Sequence, residues 1–318
     1  MIHANHYPSR CGAPHFGGRD GAGSRYSPST TSWERGNGCT GKDMQSEPIE
    51  YKWEDADLEM RRAAEPYQDE YGIKFETLLH FPREVLDALH APAQTAAEVE
   101  GTVTIASDRD TSILAHMRVL RRIAKVAGSN PSDLPDSGRE EYRSALVEIY
   151  NRLPSHPDQL IRDGGTLCLG IEREGRFLAG QTGWLPKDVP GIHAKRIPFA
   201  GGLLVGLTKC QTATASERCV IVDGAIASGA TVVAVLKKLS ASLPAEQAYP
   251  VYLYSVHGSF EGLRAIMRYG TLAGMEVRIT VGHATPGIND HFYAVDEAGD
   301  VLVGDLGDTL FGTAPIAH

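Results

Sequence analysis

An acid after an apolar run, then small residues, then a hydroxyl residue opening an apolar segment: this order occupies Cys219 to Leu239, CVIVDGAIASGATVVAVLKKL. Cys219 to Val222 is short, apolar and β-branched, the pattern of a buried parallel strand. Val232, Val233, Val235, Leu236 and Leu239 recur at helical spacing, with Lys237 and Lys238 turned elsewhere. The connection runs through Gly224, Ala225, Ile226, Ala227, Ser228, Gly229 and Ala230 to Thr231. Gly224 and Gly229 permit positive φ, and the scarcity of side-chain bulk lets a phosphate reach the backbone. Unpaired N–H groups at a helix start attract an anion, helped by the helix dipole. Ser228 and Thr231 add hydroxyls, and Asp223 is expected at the carboxyl end of its strand. An ordinary strand-turn-helix without a ligand is the plain alternative. Gly224 and Gly229 also have the separation of a P-loop, but Ala230 stands where that loop needs a lysine for the β- and γ-phosphates, which argues against triphosphate hydrolysis.

The elements needed to hold such a turn recur along the chain. Thr166–Ile171, Pro250–Val256 and Met275–Val281 read as strands, Arg196–Val205 as a strand with a glycine bend, and Ile113–Val126, Glu141–Leu153 and Phe260–Tyr269 as helices. Strands alternating with helices predict an α/β fold, a mostly parallel sheet flanked by helices, with ligands beyond the carboxyl ends of the strands. Residues 49–100 read as a helical extension. Asp55 is placed to cap a helix through Leu58, Met60 and Ala63 that Pro66 breaks, and Pro82 starts a second helix through Val85, Leu86 and Leu89. Residues 1–48, rich in Gly, Ser, Pro and Thr, read as a disordered tail, which leaves 101–318 as the α/β domain.

Bulk properties narrow the function. With 42% hydrophobic and 22% charged residues among 318, the composition is that of a soluble globular protein. A net charge of −9 argues against nucleic acid as a partner and favours small, even cationic, substrates. Five cysteines, at 11, 39, 168, 210 and 219, form no C-x-x-C pair, so neither a zinc site nor a disulfide framework is expected. No apolar stretch is long enough to span a membrane, and the N-terminus lacks a charged-then-apolar signal, so the expected setting is the cytoplasm. GSFEG around Ser259 is not a nucleophile elbow, which removes a serine hydrolase.

VIVDGAIASGATV resembles the diphosphate-ribose signature of type I phosphoribosyltransferases, closest to the uracil phosphoribosyltransferase branch. VGDLGDTLFGT, Val303 to Thr313, is similar to the ending of that branch. Ser107-Asp108-Arg109-Asp110-Thr111, GIEREGRFLAG and Phe260-Glu261-Gly262 resemble further family segments in the right order. The resemblance covers roughly residues 101 to 313.

It implies a type I phosphoribosyltransferase-like fold with a small acceptor-covering element. It also implies an enzyme moving 5-phosphoribose from phosphoribosyl diphosphate (PRPP) to a small acceptor, with Mg²⁺ present and no dedicated protein metal ligands. On this basis Asp223, Arg173 and Asp305 are the expected catalytic residues. The expected PRPP site is Arg173, Gly175, Asp223 through Thr231, and Asp305; the expected acceptor site is Val301, Gly304, Asp305 and Leu306. A homo-oligomer is implied as well. The chain also departs from the pattern. Gly224 stands for a proline, Glu174 and Leu306 for small residues, and Thr309 for a basic one. The family's Tyr-Arg segment has only Arg196 or Lys209 as substitutes. The resemblance implies a pyrimidine-like base as acceptor, and the departures point to another small nitrogen or oxygen acceptor in specialised metabolism, such as an aminoglycoside or modified heterocycle. The alternative is a non-catalytic PRPP- or nucleotide-sensing protein.

Overall fold

The structure, a computed structural model, describes residues 54–55, 58–71, 74–91, 103–127, 134–154, 165–181, 185–186, 189–208, 216–243, 248–290, 292–296, 298–302 and 306–311. The chain divides into residues 1–49 and 50–318, and the expected tail, 1–48, falls outside the described residues.

The strands are β1 (Glu54–Asp55), β2 (Thr77–Phe81), β3 (Val103–Ile105), β4 (Thr166–Ile171), β5 (Gly191–Phe199), β6 (Gly202–Thr208), β7 (Arg218–Ile226), β8 (Tyr249–Ser259) and β9 (Met275–Thr285), with a small pair β10 (Gly287–Ile288) and β11 (Ala294–Val295). The helices are α1 (Leu58–Tyr71), α2 (Arg83–His90), α3 (Ser112–Ala127), α4 (Asp136–Asn151), α5 (Glu174–Gln181), α6 (Ala230–Ser240), α7 (Phe260–Leu272) and α8 (Leu306–Phe311). One sheet of nine strands runs in the order β1-β2-β6-β5-β4-β7-β8-β9-β3. Neighbours from β5 to β3 are parallel. The pairs β5-β6, β6-β2 and β2-β1 are antiparallel. The fold is α/β with a mostly parallel sheet covered by helices, as the alternation of elements predicts.

Side-chain alternation along β7 shows why the sheet is covered twice. Cys219 and Ile221 pack with α2, α6 and α7, while Val220 and Val222 pack with α3, α4, α5 and α8. Helix α3 buries Ile113, Met117, Leu120 and Ile123, one apolar stripe at helical spacing. Its basic face is partly neutralised: Arg122 pairs with Glu141 of α4, and Arg121 with Asp296. Cys168 and Cys219 are buried free thiols, and burial pushes the Cys168 thiol up to about 11.

The N-terminal extension holds both expected helices, but two details differ. Pro66 lies inside α1 and does not end it. The lost helical hydrogen bond is offset because α1 seats Met60 and Ala64 against Leu78, Ile197 and Leu204. The segment also supplies strands: β2 pairs with β6 from Thr77↔Leu207 to Phe81↔Leu203 and widens the sheet.

Gly282 of β9 marks how closely α4 is seated. A β-carbon there would lie 2.4 Å from Ile149 Cγ2 and 2.5 Å from the Val256 carbonyl oxygen. Gly282→Ala is expected to destabilise the fold by about 1–3 kcal/mol, as overpacking does. The measurement is the urea midpoint; no change would mean that α4 does not rest on β9 as described.

Candidate functional site

Strand β7 carries Asp223 into the sheet's interior. The strand was expected to stop at this acid, yet pairing continues through Ala225↔His257 and Ile226↔Gly258. The long neighbouring strand β8 keeps its partner extended beyond the acid, so Asp223 lies within β7 and only 6% of it is exposed. One carboxylate oxygen, Oδ1, accepts the Gly224 N–H at 2.8 Å. Burial first, then the nearby Glu174 carboxylate, push the Asp223 carboxyl up to about 7; the Gly224 N–H, Arg196 and the Ala225 N–H pull the other way.

Beyond Ile226 the chain turns through Ala227, Ser228 and Gly229 into α6. Gly229 has φ +74° and caps the helix, the left-handed conformation expected of it. Ser228 Oγ accepts the Ala230 N–H at 3.3 Å. Gly224 is a glycine for a different reason from the one expected: its φ is not positive. A β-carbon there would lie 2.2 Å from Glu174 Cγ and 3.0 Å from Leu306 Cδ1. The same contacts bring the C-terminal segment against the turn's strand, 82 residues apart in sequence by the numbers 224 and 306.

Two carbonyl oxygens of the turn are held from behind. Ser259 Oγ donates to the Ala227 carbonyl at 2.5 Å, and His90 Nε2 lies 2.8 Å from that of Ser228. In a planar trans peptide the N–H points opposite to the C=O, so the Ser228 and Gly229 N–H groups turn away from those partners. Gly262 makes the closeness possible, since a β-carbon there would lie 2.2 Å from the Ala227 oxygen.

The turn and the acid share one cleft of about 70 Å³, open to solvent. Its walls are Asp223, Ala225 to Gly229, Thr231 and Val232, with Ile171, Glu172, Glu174, Ala194 and Arg196 facing them. Of the expected PRPP-site residues, Asp223, Ala225, Ile226, Ala227, Ser228, Gly229 and Thr231 therefore meet in one place, with Gly224 and Ala230 buried beside them. Gly175, at the start of α5, sits under β7, where a β-carbon would strike the Val222 oxygen at 2.2 Å.

Other expected residues stand elsewhere. The Arg173 guanidinium pairs with Asp308 and lies 5.9 Å from the Phe311 ring centroid, and Arg173 is not among the residues lining the cleft. The Glu172–Arg173 peptide bond is cis. Val301 forms an isolated bridge with Val295 and is 40% exposed. Gly304 and Asp305 lie outside the described residues, as does Lys209. Ser107 follows β3 at the sheet's far edge, where its hydroxyl meets His283 Nδ1 at 3.1 Å.

Several site residues carry no local signal in the sequence. Glu172, next to the expected diphosphate arginine, has a side chain 7% exposed that pairs with Arg176 at 3.0 Å and His193 Nδ1 at 3.4 Å. Arg196, one of two open substitutes for the missing basic segment, reaches the cleft from β5. His90 and Ser259 were not singled out as ligands of the turn, because nothing in their neighbourhoods points 138 or 32 residues along the chain.

No protein-family model matches the chain, and no curated protein matches it. Among solved structures it is similar to that of the AQ2163 protein from Aquifex aeolicus, with 17% identity, a TM-score of 0.43, and coverage of 67% of this chain and 99% of that one. It is also similar to an adenine phosphoribosyltransferase from Trypanosoma brucei in complex with AMP, pyrophosphate and ribose-5-phosphate, with 17% identity, a TM-score of 0.36, and coverage of 70% and 94%. Among the described residues no helix is long and apolar enough to cross a membrane.

The buried acid sets a pH dependence. Its pKa in the folded chain, about 7, lies above the ordinary 3.8, so the folded state holds this proton longer than the unfolded one. Its support for folding is complete below the ordinary value and is lost as pH rises through about 7. Asp223→Asn is expected to match the wild type near pH 3.8 and to exceed it by on the order of 4 kcal/mol above pH 7. Urea denaturation across this range checks it; a constant difference would place Asp223 in water.

Proposed function

We propose that the chain transfers 5-phosphoribose from PRPP to a small acceptor and releases diphosphate. The observation that carries this reading is the meeting, in one cleft, of a buried carboxylate with a helix-start turn whose carbonyls are held to the rear. Such a turn suits a sugar phosphate: the Ser228 and Gly229 N–H groups and the Thr231 hydroxyl would take the 5-phosphate, with the α6 dipole behind them. Asp223, five to eight residues upstream in the same cleft, would hold the ribose hydroxyls. As the C1–O bond breaks, its electron pair leaves with diphosphate and positive charge grows on the ribose. A carboxylate fixed there is stabilising in that state above all. The acceptor nitrogen then supplies the pair for the new C1–N bond and loses its proton.

Mg²⁺ is the cofactor this reaction implies. Glu174 and Asp223 offer hard oxygen donors at the cleft, which fits that ion, although the described residues hold no cluster of three or more metal-ligating side chains. Bound with the diphosphate, the ion would screen its charge. Among the described residues lining the cleft, Arg196 is the cation and would attract the same anion.

Glu172 and Glu174 tilt the cleft toward a cationic acceptor over a neutral pyrimidine. Glu172 pairs with Arg176 and His193; Glu174 lines the cleft with one oxygen, Oε2, accepting the Arg173 N–H at 3.1 Å, and is the carboxylate assigned here to an amine acceptor. Leu306, packed by Gly224, would border that acceptor, with Gly304, Asp305 and Val301 assigned to the same wall on the resemblance alone. The resemblance likewise supplies the homo-oligomer. One observation favours the second reading, a PRPP-sensing protein without turnover: Arg173, expected at the diphosphate, is engaged by Asp308.

Diphosphate release from PRPP and Mg²⁺ across a panel of amines and heterocycles tests the proposal. The expected result is release with at least one acceptor, falling by roughly 100-fold or more in Asp223→Asn. PRPP binding without release for any acceptor would establish the sensor. Full activity of Asp223→Asn would remove the role given to the acid. Glu174→Gln is expected to raise kcat/KM for neutral acceptors relative to amines by about tenfold; an unchanged ratio would show that Glu174 does not meet the acceptor.

A further inference from the structure

Helix α2 precedes the parallel strands, and its sequence assigns it no role. Its last residue, His90, reaches the Ser228 carbonyl at 2.8 Å. A carbonyl oxygen only accepts, so Nε2 carries the hydrogen. Burial holds the imidazole below its ordinary pKa, against the pull of the Ser228 carbonyl and Glu261; Arg264 and Asp87 are the other charges acting on it. A neutral ring with Nε2–H is thus the donor.

The helix is fixed in its turn by α7. Arg264 Nε donates to the His90 carbonyl at 3.0 Å, and Arg268 donates to those of Ala88 and Leu89 at 2.5 and 3.2 Å. These carbonyls end α2, where cations are favourable. The first residue before α7 is Ser259, whose hydroxyl holds the Ala227 carbonyl. Turn, α2 and α7 therefore close a ring of hydrogen bonds in which both rear carbonyls of the turn are taken. His90 also lines an open cavity of about 210 Å³. Leu86 and Leu89, 1% and 0% exposed, anchor α2 independently of it.

We propose that His90 is a positioning residue for the phosphate-binding turn: it holds the Ser228 carbonyl back and so aims the Gly229 N–H at the ligand's phosphate. This rests on the reading of the cleft given above. The first variant, His90→Leu, removes the donor, and the second, His90→Gln, keeps an N–H of similar reach. In full-length protein, His90→Leu is expected to bind ribose 5-phosphate about tenfold more weakly, with His90→Gln within about threefold of wild type. Affinity for inorganic diphosphate, which has no 5-phosphate, is expected to stay within about twofold in both. Amide exchange at Ser228–Thr231 is expected to quicken about tenfold in His90→Leu and to return in His90→Gln.

Unchanged exchange at the turn in His90→Leu overturns the proposal. So does a loss that His90→Gln fails to restore, or one shared equally by diphosphate, since either marks general damage. If the wild type binds no ribose 5-phosphate, the reading of the cleft falls by itself. Exchange at the turn then still decides His90: rescued quickening supports its hold on Ser228, and no quickening removes it.

Discussion

The carbonyl oxygens of Ala227 and Ser228 must be satisfied behind the turn if the N–H groups of the same peptides are to serve the cleft. A buried backbone oxygen without a partner is costly, and a short turn has no ladder to supply one. Here the partners come from outside the turn: the Ser259 hydroxyl and the His90 imidazole. Ser259 at the same time accepts the Gly262 N–H at 2.9 Å as the cap of α7. One hydroxyl thus starts a helix and orients a peptide of the neighbouring turn. Gly262 and Gly229 let the two backbones come this close, because any side chain at either would strike the other's segment.

The second constraint is electrostatic. Asp223 lies inside the sheet, beside Glu174, and holds its proton up to about 7. An acid kept in that state weakens the fold as pH rises, which is the usual relation between a prepared site and stability. A cationic group entering the cleft favours the ionised acid, so ligand binding and the charge of this site are linked. Gly224 permits the arrangement: it leaves room for the Glu174 stem against β7. Gly224 and Glu174 are therefore two sides of one contact.

Much of the architecture was legible because apolar period and length agree in the parallel strands. Cys219–Val222, Thr166–Ile171 and Met275–Val281 each read as strands, and each lies within one. Their alternation with helices also led to the mostly parallel sheet. Strand β2 escaped notice because TLLHF is short, lacks alternation and abuts Pro82. Buried pairing with β6 makes it a strand, and that partner is over a hundred residues away. Pro66 misled for a related reason: local propensity says stop, while the packing of Met60 and Ala64 carries the helix through. In the site, small residues and an acid were enough to place the turn. Arg173 was assigned by position in a motif, and its guanidinium instead answers to Asp308 and Phe311.

What the chain's order of residues determined by itself is local: a strand of β-branched residues, a turn of small ones, a left-handed glycine at 229 and a helix behind it. These follow from backbone sterics and side-chain period, which act over a few residues. Which groups hold that turn, how deeply Asp223 is buried and which charges surround it were decided only when distant segments met. Hydrogen bonds and desolvation depend on separation in space, and no spacing along a chain encodes that His90 would reach Ser228 or that Leu306 would close on Gly224.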